Sequence, residues 1–225
     1  MTRKTFSPDQ KIVSALLVSV CRFLTGIRAK QNAPLPEGNP CIYYANHSSH
    51  LDGLVIWSCL TGAARKRVHP VAAQDYWDKT GFRRYIAKRI FGAVLIARGK
   101  KIEPATEDEQ QEATPAENPL DVMQSVLDTG DSLILFPEGT RGDGEKIQDF
   151  KAGLWHLSRN NPDAVLVPVY LENLNRVLPK GSRLVVPIIC TATFGAPVEP
   201  AGEEESKADF LVRTRRALEA IHHER

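Results

Sequence analysis

Short apolar runs that alternate with helix-like segments constrain this chain more than any other feature. Residues 41–46 (CIYYAN) and 132–136 (SLILF) read as buried strands. Residues 68–73, 164–171 and 184–194 are strand-like, and residues 93–97 form a further apolar run. Between them, residues 51–60, 80–91, 119–127 and 147–158 carry helical patterning, with Pro119 at a helix start. Residues 205–222 form an amphipathic closing helix. Strands that alternate with helices predict an α/β fold, a mixed, mainly parallel central sheet flanked by helices. At 225 residues the chain suits one such domain and hardly two. The Pro-, Gly- and Asn-rich residues 31–40 read as a loop, and the acidic residues 103–118 as a long surface loop.

Ahead of this domain lies the most apolar stretch of the early chain, residues 12–27. It is too short and too charged to span a bilayer, which takes roughly 20 apolar residues. Arg22 inside it also spoils a signal peptide. At about 100° per residue, Lys11, Ser14, Arg22, Thr25 and Arg28 share one side of a helix, interrupted by Val18. Val13, Leu16, Leu17, Val20, Phe23, Leu24 and Ile27 form a wide apolar face opposite. An N-terminal amphipathic helix of this kind suits a membrane interface, the alternative being a helix packed on the protein's own core.

The net charge of +2 gives no ground for nucleic-acid binding, but its distribution is uneven. Residues 65–101 hold eleven Lys and Arg against Asp75 and Asp78, and residues 102–140 hold none. Such a block suits a phosphate ligand or a membrane surface, or is simply a solvated basic face. Cys21, Cys41, Cys59 and Cys190 have no zinc or redox spacing and read as buried thiols of a reducing compartment.

Two segments carry chemistry. NHSSHLD, residues 46–52, follows a strand and opens a helix. In one continuous helix His47 and Asp52 would point to different sides. They meet only if His47 lies in the turn before the helix and Asp52 in its first turn, where Ser48 or Ser49 would suit the N-cap. Asp52 then orients the imidazole, and the other ring nitrogen can take a proton from a substrate hydroxyl. A capping or packing histidine, and a metal site from His47, His50 and Asp52, are the competing readings. LFPEGTRGDG, residues 135–144, also follows a strand. Its turn can face backbone N–H groups toward an anion, and Arg141 adds a planar fork for phosphate. Glu138 could orient Arg141 or bond the substrate.

NHSSHLD and FPEGTR in that order resemble the glycerolipid acyltransferase family, the 1-acylglycerol-3-phosphate acyltransferases. FGAVLIAR (91–98), VLVPVYL (165–171) and DFKAGLWHLS (149–158) are similar to further blocks of that family. The likeness spans roughly residues 38–195. It implies an acyltransferase domain over residues 31–225, with residues 1–30 as a membrane-interface helix. It also implies His47 as general base, Asp52 as its orienter, and Gly92, Arg98, Glu138, Gly139, Thr140 and Arg141 as substrate-binding residues. Pro168 would shape the pocket. No metal or bound cofactor is implied. The implied donor is acyl-CoA or acyl-carrier protein, the implied acceptor a lysophospholipid, and the implied place the cytoplasmic face of a membrane. Two departures stand out: Ala97 replaces a common Asp, and VAAQDYW (71–77) replaces a Lys-rich block. Asn46 and Gly142–Asp143 favour a lyso-lipid over glycerol 3-phosphate.

Overall fold

The computed structural model describes residues 6–36, 38–97, 118–177 and 188–223. The chain opens with α1 (Pro8–Thr25), β1 (Arg28–Gln31) and β2 (Cys41–Ala45). Then come α2 (Asp52–Cys59), α3 (Gly62–Arg65), β3 (Val68–Ala73), α4 (Gln74–Trp77) and α5 (Gly81–Tyr85), which runs into a π-helical turn, Ile86–Ile90. β4 (Val94–Ile96), α6 (Pro119–Asp128), β5 (Ser132–Leu135) and α7 (Gly153–Asn160) follow. β6 (Val165–Glu172), α8 (Leu174–Val177), β7 (Thr191–Phe194) and α9 (Lys207–His223) complete it.

The strands form one sheet in the order β1-β7-β6-β2-β5-β3-β4. All neighbours are parallel except β6 and β7, so the sheet is mixed and mainly parallel, as the alternation of elements predicts. Central β2 is buried on both faces with a period of two. Cys41, Tyr43 and Ala45 pack in the layer of α1 and α2, whereas Ile42 and Tyr44 pack in the layer of α6, α7 and α9. Each fully buried large side chain of this kind contributes roughly 1.5–3 kcal/mol. β2 lies in register with β5, Ile42 beside Leu133 and Tyr44 beside Leu135. Because the two run in the same direction, their C-terminal ends lie side by side. The segments that follow them therefore leave the sheet at one edge, where α/β proteins place their sites.

The structure departs from the sequence reading in several places. β1 is a strand whose four residues are all exposed, so no apolar pattern marks it; pairing with β7 alone defines it. Residues 80–91 are a short helix and a π turn rather than one helix, with Thr80 capping the N–H of Arg83. Residues 147–152 are not helical, and α7 starts only at Gly153. The Gln148 and Lys151 N–H groups are taken instead by the Glu138 carboxylate and the Pro137 carbonyl. Arg98, nearly all of the 103–118 loop and residues 184–187 lie outside the described residues.

α1 is amphipathic in an unexpected sense. Its buried side is Ser14, Val18, Cys21 and Thr25, a stripe of small and polar residues against the domain. Ile12, Leu16, Val20 and Phe23 point outward. Small residues let α1 lie close to α2, and the large apolar ones are left on the surface. Among the described residues no helix is long and apolar enough to cross a membrane.

Candidate active site

His47 stands in the turn that leaves β2, and Asp52 is the first residue of α2. The turn brings them together as the spacing argument requires. The His47 Nδ1–H donates to Asp52 Oδ2 at 2.8 Å. A carboxylate only accepts, so the proton sits on Nδ1 and the lone pair on Nε2. The same Oδ2 accepts the backbone N–H groups of Ser48 at 2.7 Å and Ser49 at 2.9 Å. Neither serine side chain caps the helix as expected; the carboxylate takes the serine N–H groups itself. Asp52 is fully buried, and its Oδ1 has no partner among the described residues. His47 Nε2 makes no hydrogen bond among the described residues, and the side chain is 20% exposed. The imidazole stacks on Phe136, ring centroids 4.3 Å apart.

The second segment clamps the first. Glu138 Oε1 accepts the His47 N–H at 2.7 Å, and the Gly142 N–H donates to the His47 carbonyl at 2.9 Å. Both backbone polar groups of His47 are thus held by a turn about 90 residues away in sequence. The other Glu138 oxygen accepts from Gln148 N–H at 2.9 Å. Glu138 is 3% exposed and spends one carboxylate oxygen on each of two backbone N–H groups, so it holds the histidine in place, a part the sequence reading does not give it. Burial raises its carboxyl above the ordinary value, against the two backbone N–H donors that pull it down.

Gly139, Thr140 and Arg141 are placed at the rim of the site, Thr140 and Arg141 exposed. Gly139 has φ +71°, and a Cβ there would lie 2.7 Å from Lys151 Nζ. The turn needs glycine both for its backbone and for the close approach of that ammonium. Lys151 is the cation that the sequence reading passes over, although it stands in the quoted segment DFKAGLWHLS. His50 stacks on Tyr76 at 4.5 Å, and the Arg83 guanidinium also lies over the Tyr76 ring at 4.5 Å. Burial lowers the His50 pKa, and the charges of Arg141, His47 and Arg83 lower it further. A positive field at the site mouth follows, suited to an anionic ligand.

Gly92 stands just before β4 and packs against His69 of β3. It has φ +55°, its carbonyl accepts from His69 Nδ1 at 2.7 Å, and His69 Nε2 meets Asp131 at 3.1 Å. Asn46 is buried and exchanges two hydrogen bonds with the Leu171 backbone, tying the turn that carries His47 to β6. Pro168 sits buried in β6 beside Tyr44.

A carboxylate-oriented imidazole with one open nitrogen, beside a cationic turn, has the chemistry to take a proton from a hydroxyl on an anionic molecule. The chain belongs to the acyltransferase family: the family model described as Acyltransferase matches residues 26–172, which contain both motifs. Among similar proteins is a 1-acyl-sn-glycerol-3-phosphate acyltransferase of Cocos nucifera, 26% identical over 187 residues, or 80% of this chain and 53% of that one. The 1-acyl-sn-glycerol-3-phosphate acyltransferase alpha of Bos taurus is 25% identical over 96% of this chain and 70% of its own. The chain spans about half the length of several curated relatives it matches. The fold is that of the 1-acyl-sn-glycerophosphate (LPA) acyltransferase PlsC of Thermotoga maritima, with TM-score 0.66 and 20% identity over 95% of this chain and 81% of that one.

Proposed function

We propose that this protein is a 1-acylglycerol-3-phosphate O-acyltransferase. It moves a fatty acyl group from a thioester, acyl-CoA or acyl-carrier protein, to the free hydroxyl of a lysophosphatidic acid, giving phosphatidic acid. The observation that carries this reading is the His47–Asp52 pair, held in place by the Glu138 turn and open at Nε2. Nε2 takes the proton of the acceptor hydroxyl as its oxygen attacks the thioester carbonyl. The tetrahedral intermediate collapses, the C–S bond breaks, and the imidazolium returns its proton to the leaving thiolate. Asp52 stabilises the imidazolium between the two transfers. A thioester is activated enough that positioning and proton transfer suffice. Arg141 and Lys151 receive the acceptor phosphate, with Gly139 and Thr140 shaping the turn that holds it; Arg98 joins them in this reading.

The outward face of α1 supports a membrane surface as the place where such an acceptor is met. Ile12, Leu16 and Phe23 are more than half exposed, with Lys11 and Arg22 exposed on the same helix. A helix that hides its small residues and shows its large apolar ones suits a peripheral seat in a lipid interface, here on the cytoplasmic face.

The test gives the purified chain an acyl thioester with lysophosphatidic acid and follows free thiol. Thiol release that depends on the acceptor, with Arg141→Ala raising KM roughly tenfold or more for phosphate acceptors, supports the reading. No thiol release with any lysophospholipid refutes it. The block at 71–77 supplies Tyr76 to the site edge through its stack with His50, so a panel of lysophospholipid headgroups belongs in the same assay.

A further inference from the structure

One arginine of the basic segment after β3 stands at the site without a counter-ion. Arg84 is spent on Asp78 at 3.1 Å and Arg89 on Asp9 at 3.2 Å. Arg83 is half-buried and has no carboxylate partner among the described residues. Its guanidinium lies over the Tyr76 ring, 4.5 Å from the centroid, and Tyr76 stacks in turn on His50 at 4.5 Å. His50 belongs to the turn that carries His47, so two ring spacings bring Arg83 to the edge of the site. A ring face answers charge but not hydrogen bonding, and the guanidinium donates no hydrogen bond among the described residues.

The ring beneath Arg83 is fixed. Trp77 meets Tyr76 edge-on at 5.5 Å, Phe91 meets Trp77 edge-on at 6.1 Å, and Phe91 meets the fully buried Trp57 at 5.0 Å. This chain of edge contacts runs from the hydrophobic core to the site mouth. Thr80 accepts the Arg83 N–H at 3.3 Å, which fixes the backbone from which the side chain reaches back to Tyr76. A planar guanidinium already seated on a fixed ring loses little freedom when an anion arrives.

Electrostatics lead to the same place. After burial, the charges of Arg141, His47 and Arg83 lower the His50 pKa, with Asp52 opposing them. Arg141 and Arg83 thus act on one imidazole from two separate elements. Asp52 is already spent on three N–H groups. Two arginines suit a phosphate monoester, which carries up to two negative charges, better than a diester, which carries one.

We propose that Arg83 is a specificity-determining residue of the acceptor site: it grips the phosphate monoester headgroup together with Arg141, and Tyr76 is the positioning residue that holds it there. Its ligand, a lysophosphatidic acid, rests on the function proposed above.

Full-length chain is titrated calorimetrically with monomeric hexanoyl lysophosphatidic acid in the absence of donor, and the same samples are assayed for thiol release with donor. Arg83→Gln weakens binding about tenfold, the loss of a charge-assisted contact, and raises KM for that acceptor by a similar factor with kcat unchanged. The affinity ratio of lysophosphatidic acid to lysophosphatidylglycerol, its phosphodiester counterpart, narrows by about the same factor. Tyr76→Leu weakens binding several-fold, whereas Tyr76→Phe, which keeps the ring, binds as wild type does. Arg84→Gln, the same charge change on the arginine paired with Asp78, leaves both readouts unaltered. Binding without thiol release in wild type refutes the activity proposed above, and the binding series still decides the part of Arg83. Absence of binding by wild type, equal losses in Arg83→Gln and Arg84→Gln, or Tyr76→Phe as weak as Tyr76→Leu, overturns the proposal.

Discussion

Asp52→Asn separates the charge of the His47–Asp52 pair from its geometry. Asp52 Oδ2 accepts three N–H groups, from His47, Ser48 and Ser49, while Oδ1 has no partner among the described residues. An asparagine can set its single amide oxygen where Oδ2 lies and keep all three bonds. It cannot flip, because its NH2 would then face two backbone N–H donors. The imidazole therefore stays in place with its Nδ1 proton, and only the negative charge is lost. With charge centres about 4 Å apart and an effective dielectric near 20, that charge stabilises the imidazolium by about 4 kcal/mol. The turnover number should fall roughly 10³-fold. KM for the acceptor should be unchanged. Stability should move little, since losing a buried charge offsets an unpartnered amide NH2. Asp52→Ala, by contrast, strands three N–H donors and should cost about 2–5 kcal/mol. Thiol release and thermal unfolding measured on the same samples check both. An Asp52→Asn variant with intact melting temperature and turnover within about tenfold of wild type would refute the assigned role of Asp52.

Glu138→Gln can accept from only one of the His47 and Gln148 N–H groups, so it should destabilise the fold by about 1–3 kcal/mol. It should also lower turnover through a displaced His47. Because burial raises the Glu138 pKa above its ordinary 4.5, this group's stability contribution is greatest below 4.5 and declines as pH rises. The melting-temperature gap between wild type and the Glu138→Gln variant should accordingly narrow as pH is raised from about 4 through the raised value. Gly92→Ala forces a left-handed φ on alanine and drives its Cβ to 2.7 Å from a His69 ring bonded at both nitrogens. Denaturant unfolding should show a loss of about 2 kcal/mol or more, with activity per folded molecule unchanged; a selective rise in acceptor KM would instead return Gly92 to the binding site. Ile12→Ser, Leu16→Ser and Phe23→Ser together should reduce co-sedimentation with anionic vesicles while the melting temperature holds, since these side chains already face outward; unchanged co-sedimentation would remove α1 as the anchor.

Much of the architecture is legible in local chemistry. Runs such as SLILF and CIYYAN become strands because they are buried on both faces. β1 is not legible, because an exposed strand made by its partner carries no apolar signature. Nor is the start of α7, because Glu138 and Pro137, distant in sequence, take the N–H groups that a longer helix would use.

The candidate site divides in the same way. Sequence alone determined the residue types and their order: a histidine and an aspartate flanking a turn, then a glycine- and arginine-bearing turn after a later strand. Those are local matters of backbone conformation and side-chain chemistry. Only the tertiary structure decided what each residue touches. Parallel pairing of β2 with β5 sets the two turns side by side, so Glu138 becomes the clamp on His47, and Lys151 arrives over Gly139. Parallel pairing of β3 with β4 likewise sets Gly92 against His69. The inward face of α1 was settled by how closely two helices can pack, a property of the neighbour as much as of the helix, and that left Ile12, Leu16, Val20 and Phe23 facing outward.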